Sequence, residues 1–133
     1  MFKTILLPID MSPEAQHVAT LAMDLVKQHQ SQLVLLSVVE SQDEAERPEQ
    51  ASTTAVAKLL SQAQDMFAQQ GIESKTLEQE GQPAFVICDV ADDIDADLIV
   101  MGCRGVGLIE ENQSESVTTR VINLAPCPVL IVP

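Results

Sequence analysis

The residues of this chain best suited to chemistry lie in one short stretch, Gly102-Cys103-Arg104-Gly105-Val106-Gly107. Glycines let backbone N–H groups come close to a ligand, and a helix opening behind such a loop favours an anion. A tight exit turn would use the same glycines. Cys103 stands beside Arg104, and a neighbouring cation lowers a thiol's pKa, so a redox switch is one reading and an incidental small residue the other. Asp10 lies in the turn Pro8-Ile9-Asp10-Met11-Ser12. A carboxylate there suits the amino end of the following helix. That turn has no glycine, which excludes both the dinucleotide fingerprint and the P-loop. Cys88 and Cys127 read as structural, and His17 and His29 as surface residues. No nucleophile has a partner base at a usable spacing, so catalysis is not expected.

Composition narrows the field further. The chain has 133 residues, enough for one domain over 1–133 with a core of its own. Aromatic residues make up only 2%, with no Trp or Tyr, so no platform exists for stacking bases. A formal net charge of −13 disfavours nucleic acid and anionic membrane surfaces. The three cysteines match no zinc or paired-thiol spacing, which points to a reduced, cytoplasmic setting. No leader or membrane-length apolar run is read. The acidic runs at 41–49 and 110–115 read as solvated surface, with a cation site as the alternative; no metal is expected.

Alternating elements must position these residues. Thr4–Ile9 is a short apolar run, followed by Ser12 as N-cap and Pro13 as first helical residue. Ala15, Val18, Ala22, Leu25 and Val26 then fall on one helical face. Gln32–Val39 is a second strand whose continuous apolar run suits a sheet buried on both faces. A polar loop spans 41–49. A helix over about 51–70 carries Val56, Leu59, Leu60, Ala63 and Phe67 inward and stops at Gly71. Ile72–Glu80 is charged, as befits an edge strand. Pro83 opens a helix with Val86, Ile87, Val90, Ala91 and Ile94 inward. Leu98–Met101 is the fourth strand, and 102–115 a long loop. A short helix from about Ser116 carries Val117, Val121 and Leu124, and Pro128–Val132 is the last strand. This order predicts an α/β domain with a parallel sheet and helices on both faces.

Several segments together resemble the universal stress protein family: Ile5-Leu6-Leu7-Pro8-Ile9-Asp10, Leu35-Leu36-Ser37-Val38-Val39, Gly81-Gln82-Pro83, Asp95-Ala96-Asp97-Leu98-Ile99-Val100-Met101-Gly102, and Pro126-Cys127-Pro128-Val129-Leu130-Ile131-Val132. Gly102 and Gly105 match the first two glycines of the family's glycine-spaced pattern, and Ser116 its closing hydroxyl residue. The resemblance spans nearly the whole chain. It implies an open five-stranded parallel sheet of order 3-2-1-4-5, like the adenine nucleotide alpha hydrolases. Strands one and four are then neighbours whose helices leave to opposite sides, a switch point of the kind where ligands bind. It further implies Asp10 and Val38 for ribose and adenine, and Gly102, Gly105, Ser116 and Val117 for phosphates. Ser116 is at the same time a good helix N-cap. ATP or AMP is the implied ligand, and a homodimer through Pro128–Val132 the implied assembly, because that strand is apolar and would otherwise be a bare edge.

The chain departs from the family pattern at Glu115, where the third glycine would stand. Two like unit charges about 4 Å apart repel by roughly 1 to 4 kcal/mol. A loss of about 3 kcal/mol weakens binding by roughly two orders of magnitude. Glu110 and Glu111 add to the repulsion, and Arg104 alone opposes it. The expectation is a dimeric stress-response or signalling domain with a degraded phosphate loop and no tight hold on ATP. Mg²⁺ bridging Glu115 to phosphate would reverse that, so an ATP or AMP sensor, with or without slow hydrolysis, stays open. A receiver-type phosphorelay domain needs an Asp ending strand three, where this chain has Glu78-Gln79-Glu80-Gly81.

Overall fold

A computed structural model describes residues 2–10, 15–39, 53–103 and 117–133. Among them, β1 is Thr4–Pro8, α1 Ala15–His29, β2 Gln32–Val39, α2 Thr53–Gln69 and β3 Ser74–Glu80. Then follow α3 Pro83–Asp93, β4 Leu98–Gly102, α4 Val117–Leu124 and β5 Val129–Val132. The five strands form one parallel sheet in the order β3-β2-β1-β4-β5.

The strand period of two sorts the apolar runs onto two layers. Leu33 and Leu35 join Ile5, Leu7, Val100 and the inner residues of α1 and α2, among them Ala22, Leu60 and Phe67. Val34 and Leu36 join Leu6, Ile99, Met101 and the inner residues of α3 and α4, among them Ile87, Val90 and Val121. Both faces of the central strands are therefore dry, which explains runs without polar alternation. The exits of α1, α2 and α3 follow one rule. Ser31, Ile72 and Ala96 each return an N–H to the carbonyl five residues back, at 3.2, 2.9 and 2.9 Å. The residue before each has positive φ: Gln30 at 53°, Gly71 at 79° and Asp95 at 54°.

Differences from the sequence expectations are local. β1 closes at Pro8 rather than Ile9, although Ile9 is buried and still donates to Leu36 O at 2.8 Å. β3 begins at Ser74, because Ile72 is taken up by the exit of α2 and buried in the core. β4 extends through Gly102, and β5 starts at Val129. Leu124 faces solvent at 49% exposure; the chain leaves α4 there, and Thr118 and Val121 form the buried face instead. His29 is not without company: its ring meets Phe2 edge-on at 5.2 Å. The expected cap at Ser12–Pro13 and the 41–49 loop lie outside the described residues.

Candidate functional site at the carboxyl ends of β1 and β4

β1 is bordered by β2 on one side and β4 on the other. The helix after β1 packs on one layer and the helix after β4 on the opposite one. The strand order therefore reverses between β1 and β4, and in open α/β sheets the carboxyl ends at such a point are where ligands bind.

Four of the six candidate residues fall among the described residues, and all four lie at this end of the sheet. Asp10, half-buried, follows β1 directly. The β1–β2 register pairs Pro8 with Leu36; extended by two residues, it sets Asp10 level with Val38. Gly102 closes β4 and Val117 opens α4. Gly105 and Ser116, together with Arg104 and Glu115, lie outside the described residues.

Gly102 is informative because neither its backbone nor its packing against the described residues demands glycine. Its φ lies outside the left-handed range, and a Cβ there would meet Val18 Cγ2 at 3.6 Å and Val132 O at 4.0 Å, ordinary van der Waals contacts. Gly81 is the opposite case. Its φ is +146°, and a Cβ would come within 2.8 Å of Val86 Cγ2, so the turn before α3 requires glycine. A glycine that packing against the described residues does not require, at a strand end on a switch point, fits close backbone approach by a ligand.

Thr118 belongs to the same corner and was not among the expected site residues. It is 7% exposed, and its hydroxyl reaches Gly102 O and Cys103 O, each at 3.2 Å. One hydroxyl proton serves both carbonyls, so the bond is shared between them. Cys103 N donates to Val132 O at 2.8 Å. The exit of β4 is thus tied to the first turn of α4 and to the end of β5. The available signal was a polar residue at an inward position of the apolar α4 stripe.

The opposite end of the same seam is closed by Asp97. Its Oδ2 accepts from Lys3 N at 2.9 Å and from Thr4 N at 3.0 Å, and its own N–H donates to Thr4 O at 2.8 Å. Cys127 lies near enough to feel that carboxylate. Burial first, and Asp97 second, push its thiol above the ordinary value of 9.0. Cys88 is raised likewise, by burial, then Asp89, then Cys127. All three cysteines are free thiols, and Cys103 alone is exposed. Among the described residues no group of His, Cys, Asp or Glu could hold a metal ion, and no helix is long and apolar enough to cross a membrane.

Topology and site together define a domain with the adenine nucleotide alpha hydrolase-like fold. The model of the universal stress protein family matches residues 1–133, and the chain belongs to that family. It is 61% identical over 136 residues to universal stress protein Sll1654 of Synechocystis sp., covering 100% of this chain and 87% of the relative. Among solved structures, the universal stress protein UspA from Lactobacillus plantarum superposes with a TM-score of 0.82 at 28% identity, covering 99% of this chain and 98% of that one. A universal stress protein solved in complex with cAMP superposes with a TM-score of 0.79 over 99% of this chain and 97% of that one; at 22% identity it shows the fold alone.

Proposed function

We propose that this protein is a dimeric, cytoplasmic stress-response domain whose β1/β4 switch point takes an adenine nucleotide and favours AMP over ATP. The observation that carries the reading is Gly102: a strand-end glycine that neither φ nor packing against the described residues requires, flanked by Asp10 and by the start of α4. Asp10 is the candidate for the ribose hydroxyls, which a carboxylate accepts well. Val38 supplies an apolar wall for the base. Gly102, Gly105, Ser116 and Val117 offer backbone and hydroxyl donors to phosphate. Nucleotide binding then serves a signalling role, with no catalytic step.

The preference for AMP rests on charge. Glu115 stands where the family pattern has glycine, and the formal net charge is −13. Each added phosphate brings more negative charge against that carboxylate, so repulsion grows from AMP to ATP. The cAMP complex of a structural neighbour is consistent with a one-phosphate ligand in this fold.

Dimerisation is proposed through β5. It is the edge strand beside β4, and Val129, Leu130 and Ile131 are only half-buried. Ile122 and Leu124 of the preceding helix are exposed at 54% and 49%. The other edge, β3, instead presents Lys75, Glu78 and Glu80 to solvent. A charged edge resists pairing, and an apolar one invites it.

Calorimetry with AMP and with ATP, each with and without Mg²⁺, tests the reading on the wild type and on Glu115→Gly. The expected result is AMP binding in both proteins and a gain of about tenfold or more in ATP affinity for the variant. Tight wild-type ATP binding that the substitution leaves unchanged would contradict the electrostatic reading. Absence of binding by either nucleotide to either protein would remove the nucleotide site. A solution mass equal to one chain would remove the dimer.

A further inference from the structure

β1 is the middle strand of the sheet, and Pro8 is buried in it. Proline has no N–H to give to a ladder, so in sheets it belongs at edges, strand starts or bulges. Its place here calls for a physical reason.

Parity shows which neighbour loses the bond. Backbone groups of successive strand residues point to opposite sides. Lys3 O accepts from Gln32 N at 2.7 Å and Ile9 N donates to Leu36 O at 2.8 Å, so odd residues face β2. Thr4 O accepts from Asp97 N at 2.8 Å, so even residues, Pro8 among them, face β4. On β4, Ile99 N donates to Pro128 O at 3.0 Å, towards β5, which turns Leu98 and Val100 towards β1. The β1–β4 register runs Ile5↔Leu98, Leu6↔Ile99 and ends. The next two rungs would each need an N–H at position 8 reaching the Val100 carbonyl. The β1–β2 register carries on through Pro8↔Leu36, because odd residues donate to it.

We infer that Pro8 is a positioning residue: it stops the β1–β4 ladder short of Asp10 and keeps apart the two strand ends between which the nucleotide enters. The inference rests on the nucleotide reading above and assigns Pro8 the shaping of that site. The proline touches no ligand. It acts by withholding one donor, so that the strand ends do not zip together past Leu6.

Pro8→Ala supplies the missing N–H, and Pro8→Val does so with a better strand former should the smaller side chain leave a cavity. Three quantities are read on each variant: amide exchange at residue 8, unfolding in urea, and AMP affinity by calorimetry. The expected result is an amide at residue 8 protected roughly a hundredfold or more and a midpoint at or above that of wild type. AMP affinity is expected to fall by about fivefold to tenfold, the shift one net hydrogen bond commands. A merely structural proline would instead show lower stability and an unprotected amide. An unprotected amide at residue 8 in both variants overturns the inference whatever AMP does. A protected amide with unchanged AMP affinity overturns the part that concerns the site. If wild type binds no AMP, the nucleotide reading fails by itself, and the exchange result still decides whether Pro8 ends the ladder.

Discussion

The two seams of β1 differ. Against β2 the register runs from Thr4 to Pro8, whereas against β4 it covers Ile5 and Leu6 alone. The same buried strand is scaffold on one side and, on the proposed function, site wall on the other. Within the β4 seam the ends differ again. The amino end is stapled by Asp97, whose carboxylate and N–H hold Lys3 and Thr4. At the carboxyl end Pro8 offers no donor, and a spare glycine closes β4. On the proposed function, one closed end holds the strands together so that the other can serve a ligand.

The largest effect is expected from breaking the closed end. Asp97→Ala removes an acceptor for two backbone N–H groups, at 2.9 and 3.0 Å. Because Thr4 is only part-buried and Lys3 exposed, the loss is expected to be about 2 kcal/mol in urea unfolding, with Asp97→Asn losing about half as much. A loss under about 0.5 kcal/mol would mean that water replaces Asp97 freely, and the contrast between the ends would weaken.

A smaller effect separates the ends chemically. Cys103 is exposed beyond β4 at the open end, while Cys127 is half-buried near Asp97 and Cys88 is buried. Alkylation of the native protein at neutral pH is expected to label Cys103 first, with Cys88 and Cys127 reacting only on unfolding. Burial raises both inner thiols above 9.0, so the folded state keeps their protons longer than the unfolded chain. Their contribution to stability is therefore fully present below about pH 9 and lost as pH rises through the raised values. Equal labelling of all three at pH 7 would contradict this placement.

Much of the scaffold was legible because burial on both faces writes strands as unbroken apolar runs, as in Leu33–Leu36. The strand order was not legible from local pattern. It joins β1 to β4 across more than ninety residues, as the Lys3–Asp97 bond does, and it came from the family resemblance, which the topology bears out. Site residues showed the same divide. Gly102 and Asp10 stand in recognisable motifs, but that glycine at 102 is dispensable for packing against the described residues needed the neighbouring Val18 and Val132 in place. Thr118 was missed because its role is a bond to carbonyls 15 and 16 residues away. Leu124 misled because helical periodicity says nothing about where the chain turns off. His29 was read as a surface residue because Phe2 lies far from it in sequence.

The sharpest measurement is AMP affinity in Gly102→Ala, taken together with its unfolding free energy and with Gly81→Ala as control. Among the described residues the added Cβ at 102 meets only ordinary contacts at 3.6 and 4.0 Å, so stability should stay within about 0.5 kcal/mol of wild type. Gly81→Ala should lose about 1–3 kcal/mol, because φ is +146° there and Val86 Cγ2 would lie 2.8 Å away. With the fold intact, AMP affinity in Gly102→Ala should drop by about tenfold or more, since the methyl group would stand where the proposed ligand meets backbone. Wild-type affinity retained in a fully stable Gly102→Ala protein would contradict a ligand site between the ends of β1 and β4.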